Sequence, residues 1–251
     1  MNMKNFISKH ATVSAFNGAQ STFDKPHVAY IEENQGLNYQ AYVAPVVPQH
    51  DYVEIAGIKW ATMNIGANSV TDGGLYFQWG DTQGYTASQV GSGEGQKYFS
   101  EEDCIYYNDS RYTKYNEGDS LITLESTDDA VTAAWGGGWR MPTVSEFIAL
   151  GEAVNTAWTT DYQGSGVSGL VCTDNTDNSK VLFFPACGNA SFGSVNSVGS
   201  YGTYWSSSLN ADSGDSNAYN LYFSNGDVNW QNNNDRCDGF PVRGVLDDSN
   251  S

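Results

Sequence analysis

The sequence predicts an α+β domain, rich in loops, in which short antiparallel strands outnumber about two helices. Turn-forming clusters recur between short apolar runs, and 27 glycines, 16 tyrosines and 7 tryptophans supply the turns and the bulk of a strand-built core. Only the segment 121–155 carries well-marked helix-start signals. The last fifth, Thr203 to Val245, alternates apolar residues at strand spacing: Tyr219, Leu221 and Phe223, then Val228, later Phe240 and Val242. Between them stand Asn, Asp and Ser, poor strand formers that compete with backbone pairing. The expectation is a fixed apolar frame carrying a small-residue polar surface turned toward a ligand.

A chain of 251 residues with 39% hydrophobic and 14% aromatic content can bury a sizeable core. The net charge of −18 opposes nucleic acid and anionic membrane, so neither is expected as a partner. No stretch reaches membrane-span length, and residues 1–20 lack the continuous apolar core of a secretory leader. Cys104, Cys172, Cys187 and Cys237 are widely spaced, without a CxxC or a His at metal-ligand spacing. The expectation is three buried thiols and one surface thiol, Cys237, with disulfides as the alternative; Cys237 buried beside Phe240 is the other reading of that residue. No cofactor and no metal is expected. The best EF-hand frame, from Asn234, fails because Arg236 and Val245 occupy positions that need oxygen ligands.

In chain order, residues 1–50 read as an attachment or assembly segment. It contains a small hairpin, His27 to Ile31 and Leu37 to Tyr42, that needs a partner surface because an isolated two-stranded hairpin is marginal. Packing on the main sheet is the alternative. APVVPQH then reads as a linker into a domain over 51–246, followed by a disordered tail at 247–251. Val53, Ile55, Ile58 and Trp60 give two strands around a glycine turn, and LYFQWGD at 75–81 another short strand; Trp60, Phe77 and Trp79 are expected in the core. Residues 82–119 show no period and read as a long loop or insertion. Ser126 or Thr127 can cap a short helix that Gly136 to Gly138 end. Thr143 with Glu146 three residues on forms a capping box for a second helix whose apolar stripe is Phe147, Leu150 and Val154. Arg140 is expected in a structural ion pair with Asp128 or Asp129, and VLFFPAC at 181–187 in a buried strand.

KWATMNIGA, LYFQWGD, TDDAVTAAWGGGWRMPTVSEF, VLFFPACG and YGTYWSSS, in that order over about residues 51–245, resemble the major-paralogous branch of the C-type-lectin-like fold, which is similar to formylglycine-generating enzymes. The tail further resembles the variable proteins of diversity-generating retroelements, including phage-borne ones. PHVAYIEENQGLNY is similar to segments of phage structural proteins. The resemblance implies a variable region over about 201–245, in which Asn codons are rewritten at their adenines. Residues reachable in that way, and so implied to face the ligand, are Asp212, Ser213, Asp215, Ser216, Tyr222, Ser224, Asn225, Asp227, Asn229, Asn232, Asn233, Asn234, Asp235, Cys237 and Asp238. Trp135, Trp139, Arg140, Thr143, Glu146, Trp205, Leu221, Phe223, Trp230, Phe240 and Val242 are the implied scaffold; Trp230 as a central binding anchor is the other reading.

Three function classes are weighed. The resemblance implies a non-enzymatic binding protein, on a phage tail or a bacterial surface. Its partners are a protein or glycan receptor on a target cell and, through the N-terminal segment, other virion tail proteins, with a trimer as the analogous assembly. A calcium-dependent lectin needs Glu-Pro-Asn or Gln-Pro-Asp with Trp-Asn-Asp, and the chain has none of these; sugar binding without calcium stays open. A formylglycine-generating oxidase needs a cysteine pair at its groove, and no such pair stands out in the sequence. His10, His27 and His50 are the only histidines, all before the main domain, so a histidine base within it is excluded.

Overall fold

The computed structural model describes residues 50–247; the expected N-terminal hairpin, the linker before His50 and the tail beyond Asp247 lie outside them. The described part is α+β, with antiparallel sheets and two α-helices. Strands β1 (Tyr52–Ile55) and β2 (Ile58–Asn64) form the expected hairpin, its turn held by Ala56 and Gly57 at positive φ. Two short hairpins follow: β3 (Tyr107–Asn108) with β4 (Arg111–Tyr112), and, later, β9 (Asn189–Ser191) with β10 (Ser194–Asn196). Strand β5 (Trp139–Arg140) and the last strand, β14 (Arg243–Leu246), complete a sheet of order β1-β2-β14-β5, so the end of the domain closes on its beginning. A second sheet orders β6 (Val154–Thr159), β7 (Gly169–Asp174) and β8 (Val181–Pro185). A third orders β11 (Tyr201–Leu209), β12 (Asn217–Ser224) and β13 (Asp227–Asp235), and it carries most of the polar tail.

Helix α1 spans Ala130–Trp135 and ends at Gly136, whose φ of 60° suits a residue without a side chain. Its cap is Asp129, not Ser126 or Thr127: the carboxylate accepts from the amides of Val131, Thr132 and Met141, three donors that a hydroxyl could not serve together. Helix α2 (Val144–Ala153) starts at the expected Thr143–Glu146 capping box. Its buried Phe147 stacks on Trp60 at 5.5 Å, and Leu150 joins Leu221, Phe223 and Phe184 in one core cluster. A Cβ on Gly151 would meet the Trp230 indole at 2.5 Å, so glycine there leaves room for the partly buried Trp230 to pack against the helix. Trp79, Trp139, Trp205, Phe240 and Val242 fill a second cluster, with Trp135 packed at its edge.

Three expectations need correction. Arg140 pairs with Glu146 through both carboxylate oxygens and with Asp247, because Asp129 is consumed as a helix cap and Asp128 accepts from Lys114, Tyr106 and Tyr115. Residues 75–81 form no strand; they make isolated bridges, Tyr76 to Tyr85 and Phe77 to Phe240, while Phe77 and Trp79 are buried as expected. The stretch 82–119 is irregular yet structural, since Val90, Phe99, Cys104, Tyr112 and Tyr115 from it are all buried. Among the described residues no helix is long and apolar enough to cross a membrane.

Arg243 ties the first two sheets together. Fully buried, it donates to Asn64 Oδ1 and to the carbonyls of Ala61, Thr62 and Phe183. Replacing it with methionine, R243M, keeps the volume and orphans those acceptors. The expected loss is about 2–4 kcal/mol in chemical denaturation; a loss below about 1 kcal/mol would contradict this assignment.

Candidate binding face

The third sheet separates its side chains by strand alternation. On the inner face Tyr204, Leu221, Phe223, Val228 and Trp230 pack into the core with α2. On the outer face the cross-strand pairs are Thr203 with Tyr222, Tyr222 with Asn229, Asn220 with Asn232, Ala218 with Asn234, and Ser224 with Asp227. The register slips by one residue between Asn220 and Tyr222. That bulge returns Asn232 to the face of Asn229, although a spacing of three would otherwise separate them. Asn225 is exposed in the Asn-Gly turn between β12 and β13.

A cavity of about 200 Å³ opens on this outer face, lined by Asn189, Tyr201, Thr203, Tyr222, Asn232, Asn234 and Phe240. Every lining side chain is neutral. Its floor is an amide network around the fully buried Asn220, which donates to Asn234 Oδ1 at 3.0 Å and accepts from Asn232 Nδ2 at 3.0 Å. Asn232 also donates to Asn234 Oδ1 at 2.9 Å. The Tyr201 hydroxyl is held by Asn189 Oδ1 at 2.6 Å, and the Thr203 hydroxyl donates to Gly188 O. Among the described residues Asn232 Oδ1, Asn234 Nδ2 and the Tyr222 hydroxyl carry no hydrogen bond, an acceptor, a donor and a group that is both, in a lining that also includes the rings of Tyr201 and Phe240.

Of the fifteen residues the sequence suggests, Tyr222, Asn232 and Asn234 line the cavity, and Ser224, Asp227 and Asn229 share their face. The others do not converge there. Asn233 pairs with Tyr219 on the opposite face and accepts from Asn217 at 2.8 Å. Asp235 is the last residue of β13, paired with Asn217, and its side chain accepts from the Cys237 amide and the Tyr112 hydroxyl. Cys237 is no surface thiol but is buried against Tyr112 and Cys104, as all four cysteines are buried and free. Asp238 is half-buried, and burial together with the neighbouring Asp235 charge pushes its carboxyl up to about 7. Asp212, Ser213 and Ser216 are exposed in the 3-10 segment Ala211–Ser216, where Asp215 accepts from the Glu117 amide. They sit at the other end of the hairpin from Asn225, roughly 25 Å away along β12.

Sequence reasoning missed Tyr201, Thr203, Asn189 and Asn220, and it placed Phe240 only in the scaffold. The two-residue spacing of Tyr201, Thr203 and Trp205 was an available signal for the first pair; Asn189 carries none. Among the described residues no cluster of three or more His, Cys, Asp or Glu could hold a metal ion. A domain of unknown function, DUF8237, matches residues 172–245, a span that contains the whole third sheet and its cavity. No curated protein and no solved structure matches the chain.

Two outcomes follow from this geometry. N229A and D227A, on exposed outer positions, are expected to change stability by less than about 0.5 kcal/mol, whereas N234A, which orphans the Asn220 amide, costs about 1–2 kcal/mol and L221A about 2–5 kcal/mol in denaturant titrations. A raised carboxyl favours the folded state only while protonated, so the Asp238 contribution is lost as pH rises from about 4 through about 7. D238N is therefore expected to melt above the wild type at pH 8, by about 1–2 kcal/mol, and level with it below pH 4; equal melting at both pH values would contradict the assignment.

Proposed function

We propose that this chain is a non-enzymatic ligand-binding protein with a C-type-lectin-like domain, organised as the retroelement-diversified variable proteins are. It presents the outer face of β11–β13 to a receptor on a target cell, from a phage tail or a bacterial surface. The observation that carries the reading is the convergence of Tyr222, Asn232 and Asn234 on one cavity while their strand neighbours Leu221, Phe223 and Trp230 are committed to the core.

The physics suits that purpose. A sheet packed on α2 on one face and, at its Trp205 and Ala218 end, on the Phe240 cluster on the other binds with little ordering cost, and tyrosine with asparagine offers ring area and adaptable hydrogen bonding on what stays open. The cavity is smaller than the usual site for a whole drug-sized molecule, so it accepts one projecting group of a larger receptor. Its neutral amides and phenol suit a hydroxyl- or amide-bearing group, such as a sugar ring or a polar side chain, over an ion.

Sequencing many copies of the gene, together with the adjoining DNA, tests the proposal. The expected result is substitution confined to adenine-containing codons, including those of Tyr222, Asp227, Asn229, Asn232 and Asn234, with Leu221, Phe223 and Trp230 constant and a near-copy of about 201–245 beside a reverse transcriptase. Variation spread evenly over the domain, with no such copy, would overturn it.

A further inference from the structure

Outside the cavity, the fold brings together two thiols that stand far apart in the chain. Cys104 follows a short 3-10 turn in the irregular stretch before β3, and Cys237 lies two residues beyond β13. They share one small buried cluster with Tyr112, whose hydroxyl is 3.2 Å from Cys237 Sγ and 3.8 Å from Cys104 Sγ, so both sulfurs meet on one oxygen. The Tyr112 hydroxyl also donates to Asp235 Oδ1 at 3.4 Å, and the Arg236 guanidinium lies 4.0 Å over the Tyr112 ring. We propose that Cys104 and Cys237 are a covalent modification site, a dithiol that a low-molecular-weight disulfide converts to an intramolecular crosslink.

The arrangement supplies what the reaction needs. Two sulfurs held against one hydroxyl require only a small local movement to reach bonding geometry. The Cys104 contact and burial push the Cys237 thiol well above the ordinary thiol range, so it stays protonated until the loop carrying Cys104 opens and acts second, as the resolving thiol. Access comes from the loop that carries Cys104: Phe99, Tyr106, Asp109 and Ser110 all hold positive φ without being glycine, a concentration of strained backbone that lowers the cost of local opening. Cys104 keeps 7% of its surface exposed against 2% for Cys237, so it is the first to react. Deprotonated Cys104 attacks one sulfur of the disulfide RSSR, and RS⁻ leaves as the mixed disulfide forms. Cys237 then loses its proton, attacks the Cys104 sulfur and expels the second RS⁻. The balance is two thiols and RSSR giving one protein disulfide and two RSH.

The crosslink would close a loop of well over a hundred residues and fasten the stretch before β3 to the chain leaving the binding strand, a few residues from Asn234. It does not depend on the function proposed above, because it needs only the two thiols. Position 237 falls within the stretch proposed to vary, so the crosslink is a property of this particular sequence.

Native protein incubated with oxidised glutathione tests it by intact mass, non-reducing peptide mapping and melting. The expected result is loss of two hydrogens, a linked peptide pair containing Cys104 and Cys237, Cys172 and Cys187 still alkylatable after unfolding, and a rise in Tm of about 5 °C or more. C104S, a small polar replacement, is expected to abolish both the linked pair and the rise. Separate glutathione adducts on Cys104 or Cys237, linkage to Cys172 or Cys187, or no oxidation of the folded chain would overturn the proposal, and the wild-type peptide map decides this even if C104S folds poorly.

Discussion

The outer face of the third sheet depends on the Arg236 guanidinium. It is fully buried immediately after β13, and among the described residues no carboxylate lies within ion-pair distance of it. Three backbone carbonyls hold it instead, those of Lys114, Tyr115 and Asp215, between the rings of Trp79 and Tyr112. Its own amide donates to Ser216 and its carbonyl accepts from Trp79. A charge taken out of water in this way is costly unless its donors are satisfied; both terminal nitrogens are met while Nε has no partner among the described residues, so those carbonyls are the contacts the surrounding backbone must keep. The end of β13, the loop that opens β12 and the irregular stretch around Tyr115 are thereby held to one geometry.

That constraint explains how a strand of Asp, Asn and Gln stays a strand. Val228 and Trp230 are the large apolar residues β13 contributes, and they anchor its first half on α2 and Phe223. The second half, Asn232 to Asp235, has no apolar anchor of its own. It is fixed by pairing with β12, by the Asn220 amide network and by Arg236 at its end. The outer face therefore has two grades of freedom. Asp227 and Asn229 are exposed, Asn229 accepting only from the Gln231 amide at 3.0 Å, whereas Asn232 and Asn234 shape the cavity and also satisfy a buried amide. The bland alternative, that the polar residues are only a solvated sheet face, accounts for Asp227 and Asn229 but not for a neutral cavity with an unused acceptor, donor and phenol.

The local grammar of the chain was legible in sequence. Both helices, the Thr143–Glu146 box, the first hairpin and the buried Leu221–Phe223 alternation follow from capping, turn and period rules that act within a few residues. What was not legible required contacts across the whole chain. Arg140 has Glu146 six residues on but also Asp247 from the far end of the domain, and Cys237 is buried because Tyr112 and Cys104 arrive from more than a hundred positions away. Asn233 falls on the wrong face because alternation continues past the bulge, and a bulge has no marker in a run of asparagines. Codon reachability grouped residues by kind and not by direction, so it gathered Asp212 and Asp238 with Asn232 although the fold separates them.

The central claim is that the outer face of the third sheet can be rewritten while the frame beneath keeps its structure. Amide hydrogen exchange on a triple variant, Y222S with D227A and N229A, tests it most directly. The account predicts that the Leu221, Phe223 and Trp230 amides keep wild-type protection within about threefold. Collapse of their protection toward that of an open loop would mean that these side chains hold the sheet together, and the separation of face from frame would be contradicted.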